Sequence, residues 1–156
     1  VILMNTSLLF YKIQKGTIST GDYISWSHSL LGEGISSPSL TILSSCSSTD
    51  NIFEIESYFR RTLEELQIEQ PTFEAGARVR IESLAMKIME SEDDDHRYIY
   101  HLTDRIFKVV IELNYPEDLI SWIELSELMD RVDYNYDNDV ISEIKKEARL
   151  WLDTEY

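Results

Sequence analysis

The sequence predicts an all-α fold, a single domain over residues 1–156 built as an irregular bundle of about six to eight helices. Three observations predict it. Apolar residues recur at spacings of three and four along most of the chain, the period of a helix with one buried face. No segment shows the strict apolar–polar alternation of a half-buried strand. Capping residues and prolines stand just ahead of the periodic stretches, and the connections between them are short. A chain of this length buries roughly two-thirds of its unfolded surface, enough for a core without disulfide or metal.

Ile2 to Ile13 fits a helix or a strand, with Gly16 and Gly21 punctuating the stretch after it. Thr20 or Asp22 caps a short helix through Tyr23, Ile24, Trp26 and Leu30/Leu31, which Gly32 and Gly34 end. Ser37-Pro38 reads as a cap followed by a first-position proline, opening a helix through Leu40, Ile42, Leu43 and Cys46. Asp50 or Asn51 caps the next, whose stripe is Ile52, Ile55, Phe59, Leu63 and Leu66 and whose expected stop is Pro71. On its outer face Glu56-Arg60-Glu64 and Arg61-Glu65 are pairs four apart. Thr72 caps a helix carrying Phe73, Ala77, Ile81, Leu84 and Ile88 inward, with Gly76 weakening its first turn.

Ser91 to Asp95 is an acidic, exposed loop. A helix then runs from about His96 to Leu113, with Ile99, Leu102, Ile106, Val109/Val110 and Leu113 inward. Pro116 opens another, with Glu117 and Asp118 where the helix dipole favours negative charge. Leu119, Trp122/Ile123 and Leu125/Leu128/Met129 make it the expected most buried element. After the polar, aromatic segment 133–138, Asp139 caps a last helix with Val140, Ile144, Ala148 and Trp151/Leu152 inward and Lys145, Lys146 and Arg149 outside.

Charge divides the chain. The net charge is −15; residues 1–50 carry two Lys against three acids, and residues 51–156 carry 12 basic against 26 acidic side chains. A Ser-rich, nearly neutral part is followed by a strongly acidic one. Such a balance opposes binding to nucleic acid or to an anionic membrane and suits a basic protein partner. A single cysteine, Cys46, excludes an internal disulfide and fits a small buried residue without a neighbouring cation. No apolar run is long enough to span a bilayer, the apolar start Val1-Ile2-Leu3-Met4 lacks the basic region of a secretion signal, and the expectation is a soluble cytoplasmic protein starting at Met4 or at Val1.

Catalytic motifs are absent. Asp133, Asn135 and Asp137 match the first three ligand positions of a calcium loop, but Asn138 stands where the turn needs Gly, and Ile144 where a bidentate Glu belongs. That spacing reads as a solvated turn. Asp93-Asp94-Asp95-His96 with His101 is the other metal or acid–base candidate, although two histidines five apart do not share a helix face. His101 does share one with Asp104 and Arg105. His28 reads as a partly buried polar residue. Gly32-Glu33-Gly34 forms no phosphate cradle. No cofactor is expected.

The expected partner-binding residues are Asp93, Asp94, Asp95, Tyr98 and Tyr100, with Asp133, Tyr134, Tyr136 and Asp137. Tyr is enriched at interfaces, and clustered carboxylates steer a basic partner. Residues 22–46 (DYISWSHSLLGEGISSPSLTILSSC), 54–68 (EIESYFRRTLEELQI) and 141–152 (ISEIKKEARLWL) resemble small, acidic, all-helical bacterial proteins of the immunity-protein type. The resemblance spans about residues 20–155 and is weakest over 71–113. It implies a non-enzymatic protein that neutralises a toxin, and it carries over no catalytic residue. The alternatives are a metal-dependent enzyme using the Asp93–His101 cluster, or a helical adaptor or scaffold.

Overall fold

The computed structural model describes residues 2–131 and 138–154. Among these the chain forms eight α-helices, one 3-10 turn and no strand, so the fold is all-α as the periodicity predicts. The helices are α1 (Ile2–Lys15), α2 (Thr20–Gly32), α3 (Pro38–Ser45), α4 (Ile52–Glu65), α5 (Phe73–Glu90), α6 (His96–Glu112), α7 (Ile120–Arg131) and α8 (Asn138–Thr154), with the 3-10 turn at Glu117–Leu119. By packing the chain divides into two compact units, Val1–Gly76 and Ala77–Tyr156, with the division falling inside α5.

Helix starts follow from short polar side chains. The Ser37 hydroxyl accepts from Leu40 N–H at 3.2 Å, with Pro38 in the first turn. Asn51 Oδ1 accepts from Phe53 N–H at 2.9 Å, and Thr72 Oγ1 accepts from Ala75 N–H at 3.1 Å. For α2 the expectation of Thr20 or Asp22 as cap is corrected. Ser19 is the cap, and it forms a reciprocal box with Asp22: Asp22 N–H donates to Ser19 Oγ at 3.2 Å, and Ser19 N–H donates to Asp22 Oδ2 at 3.0 Å. Asp22 also receives Lys12 Nζ at 2.9 Å. Burial pushes the Asp22 carboxyl up, but the bonds from Lys12 and Ser19 outweigh it and hold the group below its ordinary value. Asp139 lies inside the first turn of α8 and not ahead of it, because the helix begins at Asn138.

Helix stops depend on left-handed backbone. Gly16, Gly34, Gln67 and Asn114 have φ of 72°, 83°, 54° and 61°. At each, two reversed hydrogen bonds close the helix end. For α4 these are Gln67 N–H to Glu64 O at 3.2 Å and Ile68 N–H to Leu63 O at 2.9 Å. The helix therefore ends before Pro71, its expected stop. Gln67 holds a conformation that most side chains find costly, so nothing in its residue type announces the turn.

Unit 1 is organised around Phe59. Its ring centroid lies 5.0 Å from Tyr23, 5.0 Å from Trp26 and 5.6 Å from Phe10. Leu9, Leu30, Leu40, Leu43 and Ile55 complete the buried cluster. Two polar ties lock its helices. Trp26 Nε1 donates to Thr6 Oγ1 at 3.1 Å. Ser39 donates through N–H and hydroxyl to the Glu65 carboxylate at 2.9 and 2.5 Å, bonds that hold Glu65 below its ordinary value. The Tyr23 phenol is raised to about 12, chiefly by burial and then by Glu56.

In unit 2, α5 buries Ala77, Ile81, Leu84, Ala85 and Ile88, the predicted stripe. The helix α6 buries Ile99, Leu102, Thr103, Ile106, Val109 and Val110, so its β-branched run is helical. The expectation that the helix after Pro116 is the most buried is corrected: α7 buries only Trp122, Leu125 and Ser126 and leaves Ile120 38% exposed. Its acids Glu124, Glu127 and Asp130 all face solvent. Pro116 precedes a 3-10 turn and not the α-helix itself. From α8, Val140, Ile141, Ile144, Ala148 and Trp151 face inward.

Candidate functional site

The acidic loop before α6 places Asp93, Asp94 and Asp95 in solvent. Asp95 stands at the cap position of α6 without a side-chain capping bond. Asp93 is committed internally: its Oδ1 meets Lys145 Nζ at 2.5 Å, and the same ammonium donates to Ser91 O at 2.6 Å. The hydrogen bond from Lys145, reinforced by its charge, holds the Asp93 carboxyl below the usual carboxylate range. Lys145, expected on the outside of the last helix, is half-buried by this bridge. Tyr98 is 42% exposed, whereas Tyr100 is half-buried. Two positions along a helix turn a side chain by about 200°, so the two tyrosines do not form one patch. Asp133, Tyr134, Tyr136 and Asp137 lie outside the described residues, as does the calcium-type spacing that begins at Asp133.

Asp93, Asp94 and His96 face Ile141, Ser142, Lys145, Lys146 and Arg149 across a cleft of about 840 Å³. The sequence shows only the cationic face of α8; the acids opposite it lie far away along the chain. His101 is exposed and lies outside the cleft. Among the described residues no group of three His, Cys, Asp or Glu side chains is placed to hold a metal ion. The cleft thus balances part of the loop's charge with three cations from α8.

A second acidic region has no local sequence signal, because it forms only where α7 meets α8. Ser121, Glu124, Leu125 and Leu128 of α7 line a cleft of about 250 Å³ with Glu143 and Glu147 of α8. A further cleft of about 490 Å³ is lined by Arg78, Asp118, Glu147, Leu150, Trp151 and Thr154. Arg78 is held there by Asp118 through two bonds of 2.6 and 3.1 Å, and its guanidinium lies 5.9 Å from the centre of the Trp151 ring. The bond from Arg78 holds the Asp118 carboxyl below its ordinary value. Burial raises Glu147, and the like charge of Glu124 raises it further.

A carboxyl raised on folding opposes the folded state once it ionises, so the stability is fully present below its ordinary value of 4.5 and is lost as pH rises through the folded value. Glu147→Gln is therefore expected to raise the melting temperature at pH 7 and to lose that advantage below about pH 4.5. Thermal melts at both pH values check it; a destabilised variant at pH 7 would contradict it.

Elsewhere, the most exposed large apolar side chain among the described residues is Phe53 in the first turn of α4, 76% exposed, and Tyr115 is 50% exposed. Cys46 is half-buried and not fully buried as expected; burial, then Asp50 and Glu54, push its thiol up, which keeps it protonated and unreactive. His28 is exposed, and its Nε2 donates to Ser44 O at 2.9 Å. No helix among the described residues is long and apolar enough to cross a membrane. Comparisons with protein-family models, curated proteins and solved structures return no match.

Proposed function

We propose that this chain is a non-enzymatic binding protein whose acidic surface covers a basic protein partner, in the manner of an immunity protein that neutralises a basic toxin. The observation that carries this reading is the net charge of −15, concentrated after residue 50 and displayed on exposed carboxylates of α5 to α8. Charge of this size accelerates and selects a basic partner, while a few aromatic anchors supply affinity. Tyr98, exposed on α6, is available as such an anchor. Asp94 and Asp95 remain available to a partner, and Asp93 is engaged by Lys145. The enzyme alternative draws on His96, His101 and the neighbouring carboxylates, but His101 lies outside the cleft that His96 lines.

The test is affinity capture from source-organism lysate at low salt, with mass spectrometry of the retained proteins and a salt challenge. The expected result is one basic protein held stoichiometrically and released by salt. Retention of an acidic protein, or of a partner indifferent to salt, would contradict the reading.

A further inference from the structure

We infer that the groove along α7 and α8 is the seat of the basic partner, and that it receives a lysine- or arginine-bearing protein segment whose cation lies between Glu124 and Glu147. The inference rests on the binding reading above and names its site.

The two clefts at α7 and α8 meet at Glu147, which lines both. Their walls combine apolar side chains with carboxylates: Leu125 and Leu128 beside Glu124 and Glu143 in one, and Leu150 and Trp151 beside Glu147 in the other. Leu150 is 50% exposed. Lysine and arginine fit such a surface because their stems lie along apolar groups while their charged heads reach the acids.

Internal charge balance favours this groove over the loop before α6. That loop faces Lys145, Lys146 and Arg149, and Lys145 already bridges to Asp93. Along the groove the single lining cation among the described residues is Arg78, which Asp118 holds at two points. Glu124, Glu143 and Glu147 have no ion pair among the described residues. Two of them repel each other, and burial disfavours the ionised form of Glu147. A cation set between them removes the repulsion, whereas an anion or a neutral segment would add to the cost. Trp151, 8% exposed, adds an indole N–H that has no hydrogen-bond partner among the described residues.

The test is isothermal titration of the full chain at low salt. The probe is a helical peptide of about two heptads with Lys and Arg on one face and Leu on the other. Its Glu-substituted counterpart and spermine are the controls. The expected result is stoichiometric binding of the basic peptide, none of the acidic one, and spermine about tenfold weaker. The Glu124→Gln, Glu147→Gln double variant should bind about tenfold more weakly, which is about 1.4 kcal/mol, with its melting temperature unchanged or raised. Leu150→Asn should also weaken binding, and Asp94→Asn with Asp95→Asn should change it by less than about threefold.

Unaltered affinity in the double variant, or a larger loss from the Asp94 and Asp95 changes, would overturn the groove and leave the acidic-binder reading standing. Equal affinity for spermine would overturn the assignment to a protein segment. No binding of the basic peptide would overturn the groove, while the acidic-binder reading falls only if the lysate capture yields an acidic or salt-indifferent partner.

Discussion

Phe59→Ala is expected to destabilise unit 1 by about 3–5 kcal/mol, the usual cost of emptying a buried aromatic site. The side chain is 4% exposed and, among the described residues, is the one ring that touches three others, Phe10, Tyr23 and Trp26. Each of those ring pairs is worth about 0.5–1.5 kcal/mol beyond the area it buries, so the upper half of the range applies. Against a total stability of about 5–15 kcal/mol, the loss is a large fraction. Urea denaturation followed by tryptophan fluorescence reads it directly, because Trp26 packs edge-on against the deleted ring at 5.0 Å. A loss under about 1 kcal/mol would mean that the cluster is not the keystone of this unit.

Gly76→Ala is the second large effect, and here two physical terms oppose each other. By helix propensity alone, Ala in place of Gly stabilises a helix by about 1 kcal/mol. At this position an added Cβ would come to 2.9 Å from Ser7 O and 3.2 Å from Tyr11 Cβ. The first of these neighbours is backbone and cannot rotate away, so α5 must move off α1 or strain. Overpacking of this kind costs about 1–3 kcal/mol, which outweighs the propensity gain. The Tyr11–Phe73 stack, with centroids 5.7 Å apart, would be displaced by the same shift. Gly32→Ala is the internal control, since among the described residues no atom beyond its own helix and chain neighbours lies within 4 Å of a Cβ there. Denaturation midpoints should move in opposite directions for the two variants, and stabilisation by Gly76→Ala would refute the close approach.

Gly76 also shows what a sequence withholds. Its residue type gives only the weakening of a first turn. The reason it is tolerated is α1, more than sixty residues away in the chain. The all-α class, the inward faces of α4, α5, α6 and α8 and the Ser37-Pro38 and Asn51 starts were all legible, because period and capping are local. The stop of α4 was not, because Gln67 adopts a left-handed turn that its residue type disfavours. The burial of α7 was overestimated because its apolar residues spread around the helix, and only Trp122 and Leu125 of them find partners deep enough to be buried.

The same limit applies to the site. Exposure of Asp94, Asp95 and Tyr98 follows from a polar run ahead of a helix and could be read. The engagement of Asp93 by Lys145 spans fifty-two positions and could not. Nor could the meeting of Glu124 with Glu147, since each reads separately as an ordinary exposed acid of its own helix; only the packing of α7 on α8 makes them a pair.

Backbone amide shifts during titration with the basic peptide locate the seat of a partner on this acidic binder. With the partner seated on α7 and α8, the shifts concentrate in residues 118–128 and 143–154 and diminish as salt is added. Shifts confined to residues 92–98, or no shifts at low salt, would contradict this seating.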